Sequence, residues 1–139
     1  MKKAFALFIT AIFIAYVFVS CSKSKDTTAQ LTVTQKIQNK WLVDNLVDHF
    51  HDPTFDTTVI SAGTASDYVD FRTDGKVYTF FDGSADTSTY AVVGDTSILI
   101  TLIGNYKIQT LTDHTLKLYG REDDPSSSAY FEETINLKR

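Results

Sequence analysis

The chain has 139 residues, which is enough for one domain of ordinary size and too few for two. Lysine and arginine number 13 against 17 aspartate and glutamate residues, so the formal net charge is -4 and a basic surface for nucleic acid is excluded. A single cysteine excludes an internal disulfide and the zinc sites that need two or four cysteines, and a hydrophobic content of 43% excludes general disorder.

The first element in chain order is an export signal over residues 1–20. Lys2 and Lys3 precede an apolar run of sixteen residues, 4–19, which only Thr10 interrupts. This run matches the apolar region of a secretory signal peptide and is shorter than the ~20 residues that a membrane-spanning helix needs. Directly after it the chain reads Val19-Ser20-Cys21, with the only cysteine following a small residue.

Residues 18–21 resemble the lipobox of bacterial lipoproteins, although leucine is commoner than phenylalanine at position 18 and a smaller residue is commoner than valine at position 19. The resemblance implies that the Cys21 thiol takes a diacylglyceryl group, that a peptidase cleaves before it, and that the freed amine is acylated as well. Several acyl chains give stable attachment, since each buried methylene contributes about 0.8 kcal/mol. The alternative is an uncleaved anchor helix whose cysteine has no role. Both interpretations place the globular part outside the cytoplasm.

Residues 21–34 are predicted to form the lipidated cysteine and a polar, threonine-rich flexible tether. The predicted location is the cell envelope, with the outer membrane favoured over the inner one. The residues after Cys21 do not decide between the two leaflets.

The remaining residues, 35–139, are predicted to form one all-β domain. Residues 35–40 are expected to make one helical turn that directs Ile37 and Trp41 to the core. Beyond them, short runs rich in β-branched and aromatic residues alternate with turn residues, and Asp74-Gly75 is a typical hairpin turn. The stretch 52–66 is rich in Thr, Ser and Asp, and its Pro53 argues against a continuous central strand. Eight strands are predicted: 41–51, 67–72, 76–82, 87–93, 97–103, 106–111, 115–121 and 129–138.

Eight sequential antiparallel strands close most simply into an up-and-down barrel, because closure removes the two open edges of the sheet. The strand 97–103 is apolar on both faces and is expected to be covered on both. The interior of so small a barrel is either filled by side chains or holds one small ligand.

The order of these features resembles the small lipocalin-like domains of bacterial lipoproteins. The matching segments are 39–42, 68–76, 89–95 and 106–118, followed by a basic C-terminus, and the resemblance covers 35–139. Asn39 lies where the family usually has glycine. The resemblance implies that Trp41 plugs one end of the barrel and that Arg139 or Lys138 packs on it through a cation–π contact of about 0.5–2 kcal/mol. By analogy it also implies that an apolar or amphipathic small molecule is bound.

Four residues are candidates for contacting such a ligand: Glu133, Phe131, Tyr90 and Phe71. Alternation places Glu133 between Phe131 and Ile135 on the inward face, where a carboxylate must be paired, protonated or at the mouth. It would then fix the polar end of the ligand. The alternative is that the strand bulges there or that the position lies at the rim, and that the aromatic rings simply fill the barrel.

Catalysis and cofactors find little support in the sequence. His49 and His51 leave the same face of a strand, and Asp48, Asp52 or His114 would have to complete a metal site with them. The alternative is a pair of exposed polar side chains. No activated nucleophile, phosphate-binding glycine loop or calcium loop is present in the sequence, so we predict no cofactor, no metal and no enzyme activity.

Two functions remain. The leading hypothesis is a lipid-anchored, extracytoplasmic lipocalin-like barrel that binds a small apolar or amphipathic ligand. The second is a non-catalytic structural or interaction module of the cell envelope, with a filled barrel and an envelope protein as its partner. The interior distinguishes them, because a continuous pocket favours a ligand and a packed core with an exposed apolar patch favours a partner.

Overall fold

A short helix precedes the sheet in the computed structural model, which describes residues 30–139. This helix, α1 (Val33–Ile37), begins at a capping box: the Thr32 hydroxyl accepts a hydrogen bond from the Gln35 N–H at 3.2 Å, and the Gln35 side chain accepts one from the Thr32 N–H at 2.9 Å. The cap explains why the helix starts before the predicted turn at 35–40. The predicted signal peptide and Cys21 lie outside the described residues.

All eight predicted strands are present, and a ninth lies in the stretch 52–66. The strands are β1 (Lys40–Asp52), β2 (Phe55–Ala62), β3 (Tyr68–Phe71), β4 (Lys76–Phe81), β5 (Ser84–Val93), β6 (Ser97–Ile100), β7 (Gly104–Leu111), β8 (Thr115–Asp123) and β9 (Tyr130–Lys138).

The strands form a closed, antiparallel, eight-stranded barrel, which confirms the predicted fold class. Consecutive strands from β3 to β9 pair with each other, and β9 pairs with β1 to close the wall. On the other edge of β1, β3 pairs with residues 40–42 and β2 pairs with residues 45–52. Because β2 and β3 share one edge of β1, nine strands occupy eight positions around the barrel, and the β1–β2 hairpin extends the wall at one end.

The ninth strand corrects the prediction for residues 52–66. Pro53 lies in the turn of the hairpin, where no ladder hydrogen bond requires its missing N–H, and Asp52 accepts a hydrogen bond from the Thr54 N–H at 3.0 Å. After the turn, Thr57, Thr58 and the two residues that follow are β-branched and suit an extended chain.

The predicted strand 97–103 is longer than the observed strand β6. β6 ends at Ile100, and a tight turn follows in which Leu102 has a φ of 65° and is fully exposed. Gly104, which lies between the predicted strands 97–103 and 106–111, begins β7. Leu99 is half exposed, so this strand is covered on one face only and the expectation of cover on both faces was wrong.

One end of the barrel is filled by apolar side chains. Ile37 and Trp41 are both completely buried there, as the spacing predicts, and the Trp41 indole N–H donates a hydrogen bond to the Ile37 carbonyl at 2.9 Å. The Arg139 guanidinium lies 4.8 Å from the Trp41 ring centroid, in cation–π geometry. The opposite end, toward the β1–β2 hairpin, is where the interior becomes polar.

No helix within residues 30–139 is both long and apolar enough to cross a membrane.

Candidate ligand cavity

The register of β1, β8 and β9 decides which side chains face the interior. A bulge at Asp44 shifts the alternation of β1, since Val43 pairs with Leu137 while Asn45 pairs with Asn136. The inward positions of β1 after the bulge are therefore 46, 48 and 50. Opposite them on β9 lie the inward positions 135, 133 and 131, and on β8 the positions 118, 120 and 122.

A cavity of about 220 Å³ occupies the interior between these strands and the opposite wall. Its surface is mainly apolar, and the polar side chains that line it are Tyr68, Thr79, Tyr106 and Glu133. The Tyr106 phenol and the Glu133 carboxyl lie together at one end. The apolar part of the lining includes Val43, Leu46, Phe71, Ile100, Leu118 and Ile135. This volume exceeds the ~150 Å³ of a cavity that holds benzene, so a small organic molecule fits.

A hydrogen bond fixes the polar end of the cavity. The Tyr106 hydroxyl donates to Oε2 of Glu133. Burial raises the pKa of Glu133; the hydrogen bond from Tyr106 opposes this increase, and the nearby carboxyls of Asp48 and Glu122 add to it. Burial and the same hydrogen bond raise the pKa of Tyr106, so this phenol stays protonated.

Two further carboxyl groups lie close to this pair, although Glu133 is the only carboxyl among the residues that the structure describes that lines the cavity itself. Asp48 lies directly opposite Glu133 in the β1–β9 register, and its Oδ1 is buried without a hydrogen-bond partner. Burial raises the pKa of Asp48. Glu122 occupies the next inward position of β8 toward the mouth, opposite Phe131.

The space continues toward the mouth of the barrel. A second depression of about 250 Å³ shares Tyr106 and Glu133 with the cavity and adds Glu122, Phe131 and the basic Arg121. Beyond it, an open depression of about 480 Å³ at the mouth is lined by aromatic rings and by carboxyl groups, among them Phe50, Phe55, Asp52 and Glu122. From the closed end outward, the lining thus changes from apolar to mixed acidic and aromatic.

The four predicted ligand residues fall at different places. Phe71 and Glu133 line the cavity, and Phe131 lines the two outer depressions. Tyr90 lies outside all three: its hydroxyl donates to the Arg72 carbonyl at 2.9 Å and its ring meets Phe71 edge-on with centroids 5.0 Å apart. Tyr90 therefore supports the cavity wall through Phe71 and does not line the space.

Sequence reasoning missed the inward carboxyl of Asp48 and the pairing of Tyr106 with Glu133. Strict alternation from Trp41 and Val43 places position 48 outside, and only the bulge at Asp44 brings it in. No residue type at position 44 marks that bulge in the sequence. The pairing of Tyr106 with Glu133 depends on contact across the barrel, for which the sequence carries no signal.

His49 and His51 share the outer face of β1, as their spacing predicts, but Asp56 of β2 engages both. His49 Nε2 lies 3.0 Å from one Asp56 oxygen and His51 Nδ1 lies 2.8 Å from the other, while His49 Nδ1 approaches Glu132 at 3.4 Å. The hydrogen bond with Asp56, which is the largest cause, and the one with Glu132 raise the pKa of His49. Asp48, considered above as a possible third ligand, faces the other side of the strand.

Within residues 30–139 no group of three or more His, Cys, Asp or Glu side chains is placed to hold a metal ion.

No family model, no curated protein sequence and no solved structure matches the chain in comparisons with known proteins.

Proposed function

We propose that this protein is a lipid-anchored, extracytoplasmic lipocalin-like barrel that binds a small apolar or amphipathic molecule without catalysis. The observation that carries the binding proposal is the interior cavity of about 220 Å³, which combines an apolar wall with the Glu133 carboxyl at one end. Ligand sites in proteins are typically concave and apolar with a few convergent polar groups. The closed eight-stranded barrel provides the rigid frame on which such a site is held.

The experiment for ligand binding uses native mass spectrometry of the barrel, residues 31–139, which form one compact unit with their own core. The barrel is cut by a protease from full-length protein that has been purified from its native membrane. We expect a bound species of low mass in it, and the loss of this species after Leu118→Trp, which places a larger side chain against the cavity. A conservative control, Leu118→Met, should retain the bound species. Wild-type protein without any bound species, and without binding of added apolar probes, contradicts the proposal.

The lipid-anchor part of the proposal rests on the sequence at 18–21 and on the apolar run before it. Metabolic labelling with an alkyne fatty acid should label the full chain, and Cys21→Ser should abolish the label and release the protein from the membrane fraction. Ser22→Ala is the matched control and should leave the label unchanged. Labelling that persists in Cys21→Ser would refute the anchor. Fractionation of the two membranes tests the further proposal that the outer one carries the protein.

A second function has its own structural support. The β1–β2 hairpin extends past the barrel wall, and β2 exposes Phe55, Val59 and Ile60, with Ile60 69% exposed. Exposed apolar groups on a projecting hairpin are typical of surfaces that contact a partner. An envelope protein as partner is thus the alternative. Crosslinking from position 60 in intact cells should capture one defined partner if this alternative holds, and no defined product if the hairpin only borders a ligand site.

A further inference from the structure

The polar end of the cavity has carboxyl groups on three neighbouring strands, β8, β9 and β1. Asp48 and Glu133 are directly opposite on neighbouring strands, which places their β-carbons about 4.5–5.5 Å apart, a pairing that is unfavourable for like charges. Glu122 points into the same region from β8. The only hydrogen bond among these groups is the one that Tyr106 donates to Glu133 within the described chain.

Among residues 30–139, no cationic side chain takes an inward position beside these carboxyl groups, although Arg121 borders the outer depression together with Glu122. By the strand registers, none of the inward positions of the strands within residues 30–139 holds lysine, arginine or histidine. Arg121, the basic residue at the edge of the region, directs its guanidinium to Glu132 and Asp123, both at 2.7 Å on the outer face. The unpartnered Oδ1 of Asp48 remains a buried acceptor. Such an atom costs free energy until a donor reaches it.

These features discriminate among ligand chemistries. A carboxylate or phosphate would add a further negative charge beside the existing ones, and an alcohol brings one donor and no charge. An ammonium group carries a positive charge and three hydrogen-bond donors, and it has no acceptor. It therefore complements carboxylate groups, which accept hydrogen bonds and cannot donate them.

The shape of the interior sets the size and direction of the ligand. Ile135 and Leu137 follow Glu133 toward the closed end of the barrel, so the apolar chamber lies deeper than the carboxyl groups. A volume of about 220 Å³ holds a body somewhat larger than benzene, roughly six to eight non-hydrogen atoms. A ligand would therefore enter with its apolar end first.

We propose that the cavity binds a small protonated amine, with its apolar body in the chamber and its ammonium group at the Glu133 carboxyl, which lines the cavity, beside the neighbouring carboxyl of Asp48. This inference rests on the proposed function, since it names the ligand class for the same cavity. It adds a requirement that a general apolar site does not have, namely a preference for a cation over neutral and anionic molecules of equal size.

The test compares three probes with the same six-carbon chain, hexylammonium, 1-hexanol and hexanoate, by calorimetry and NMR titration at neutral pH. Hexylammonium is expected to bind about tenfold or more tightly than 1-hexanol, and hexanoate more weakly than either. Glu133→Gln keeps the shape and removes the charge, so it should weaken hexylammonium binding about tenfold and leave 1-hexanol within about twofold. Glu132→Gln, the neighbouring carboxyl on the outer face, is the matched control and should change neither affinity.

Asp48→Asn gives a second variant should Glu133→Gln fail to fold, and it should reproduce the selective loss of hexylammonium. Equal binding of the three probes, or tightest binding of hexanoate, overturns the amine inference and leaves the proposed ligand-binding function standing. Absence of binding by every probe overturns both. A similar loss of hexylammonium affinity in Glu132→Gln and Glu133→Gln also overturns the inference, because the effect would then reflect net charge alone.

Discussion

Replacing Gly120 with alanine tests how tightly the polar end of the cavity is packed. Gly120 lies opposite Glu133 in β8, and a β-carbon at this position would be 2.9 Å from Cε1 and 3.1 Å from Cδ1 of Tyr106. Real β-carbons are almost never so close to another atom. The Tyr106 ring is buried and held at its hydroxyl by Glu133, so it cannot move aside without breaking that hydrogen bond.

The expected size of the effect follows from two opposing contributions. Forcing an extra methyl group into a packed interior costs about 1–3 kcal/mol. Alanine is favoured over glycine within a strand by roughly 0.5–1 kcal/mol, which offsets part of this cost. The difference between these two contributions spans about 0–2.5 kcal/mol, and because the contact is as short as 2.9 Å we expect Gly120→Ala to lower the free energy of unfolding by about 1–2 kcal/mol. For a domain of about 100 residues, this corresponds to a decrease in Tm of about 4–16 °C.

Thermal and urea unfolding, followed by circular dichroism, measure this change. Adding Tyr106→Leu removes the ring atoms that collide, so the double variant should be less destabilised than the sum of the two single changes, with a coupling of about 0.5–3 kcal/mol. Gly75→Ala is the control. Gly75 has a φ of 78° and open space around it, so the loss of stability in this variant arises from backbone strain and should add to the loss in Tyr106→Leu. A Gly120→Ala protein as stable as wild type would refute the reasoning.

Three other predictions concern the surface and the closed end. Leu102→Asn should raise the free energy of unfolding by about 0.5–1 kcal/mol in urea titrations, because this exposed residue has a φ of 65° that asparagine adopts more readily; a loss of stability would show that the leucine side chain contributes packing. Arg139→Ala should lose about 0.5–1 kcal/mol through the cation–π contact with Trp41 and Arg139→Lys less, whereas equal losses in urea would exclude that cause. In NMR titration, His49 should titrate above its ordinary pKa of 6.5, and Asp56→Asn should lower this pKa toward 6.5. The stabilisation that protonated His49 provides is complete below its unfolded pKa and is lost as the pH rises through its folded pKa. An unchanged His49 titration in Asp56→Asn would show that Asp56 does not cause the raised pKa.

The barrel itself was predictable because most of its strands show apolar alternation or end at recognisable turn residues. β3 and β4 alternate clearly and meet at a turn that contains Gly75, with its positive φ. β2 was missed because it pairs along one edge only and none of its residues is buried, so its sequence lacks the apolar alternation that reveals a core strand.

The site was predictable only in part, because its geometry depends on one local irregularity. Glu133 was found from alternation along β9, which runs without interruption. Asp48 was not found, because the bulge at Asp44 reverses the faces of β1, and a one-residue shift exchanges inside and outside for every later position. The packing of Tyr106 against Gly120 depends on contact between strands and leaves no signal in either segment.

The pairing of the first barrel strand with the last has a consequence for the order of folding. Across this seam, the Asn136 amide donates to the Asn45 side chain at 2.7 Å, between positions 91 residues apart in the chain. Contacts of such long sequence separation form late, because the intervening chain must be ordered before its ends can meet. Until β9 pairs with both of its neighbours, one edge of β1 and one of β8 stay open to other chains. A partly folded barrel is therefore most vulnerable to aggregation before β9 takes its place in the wall.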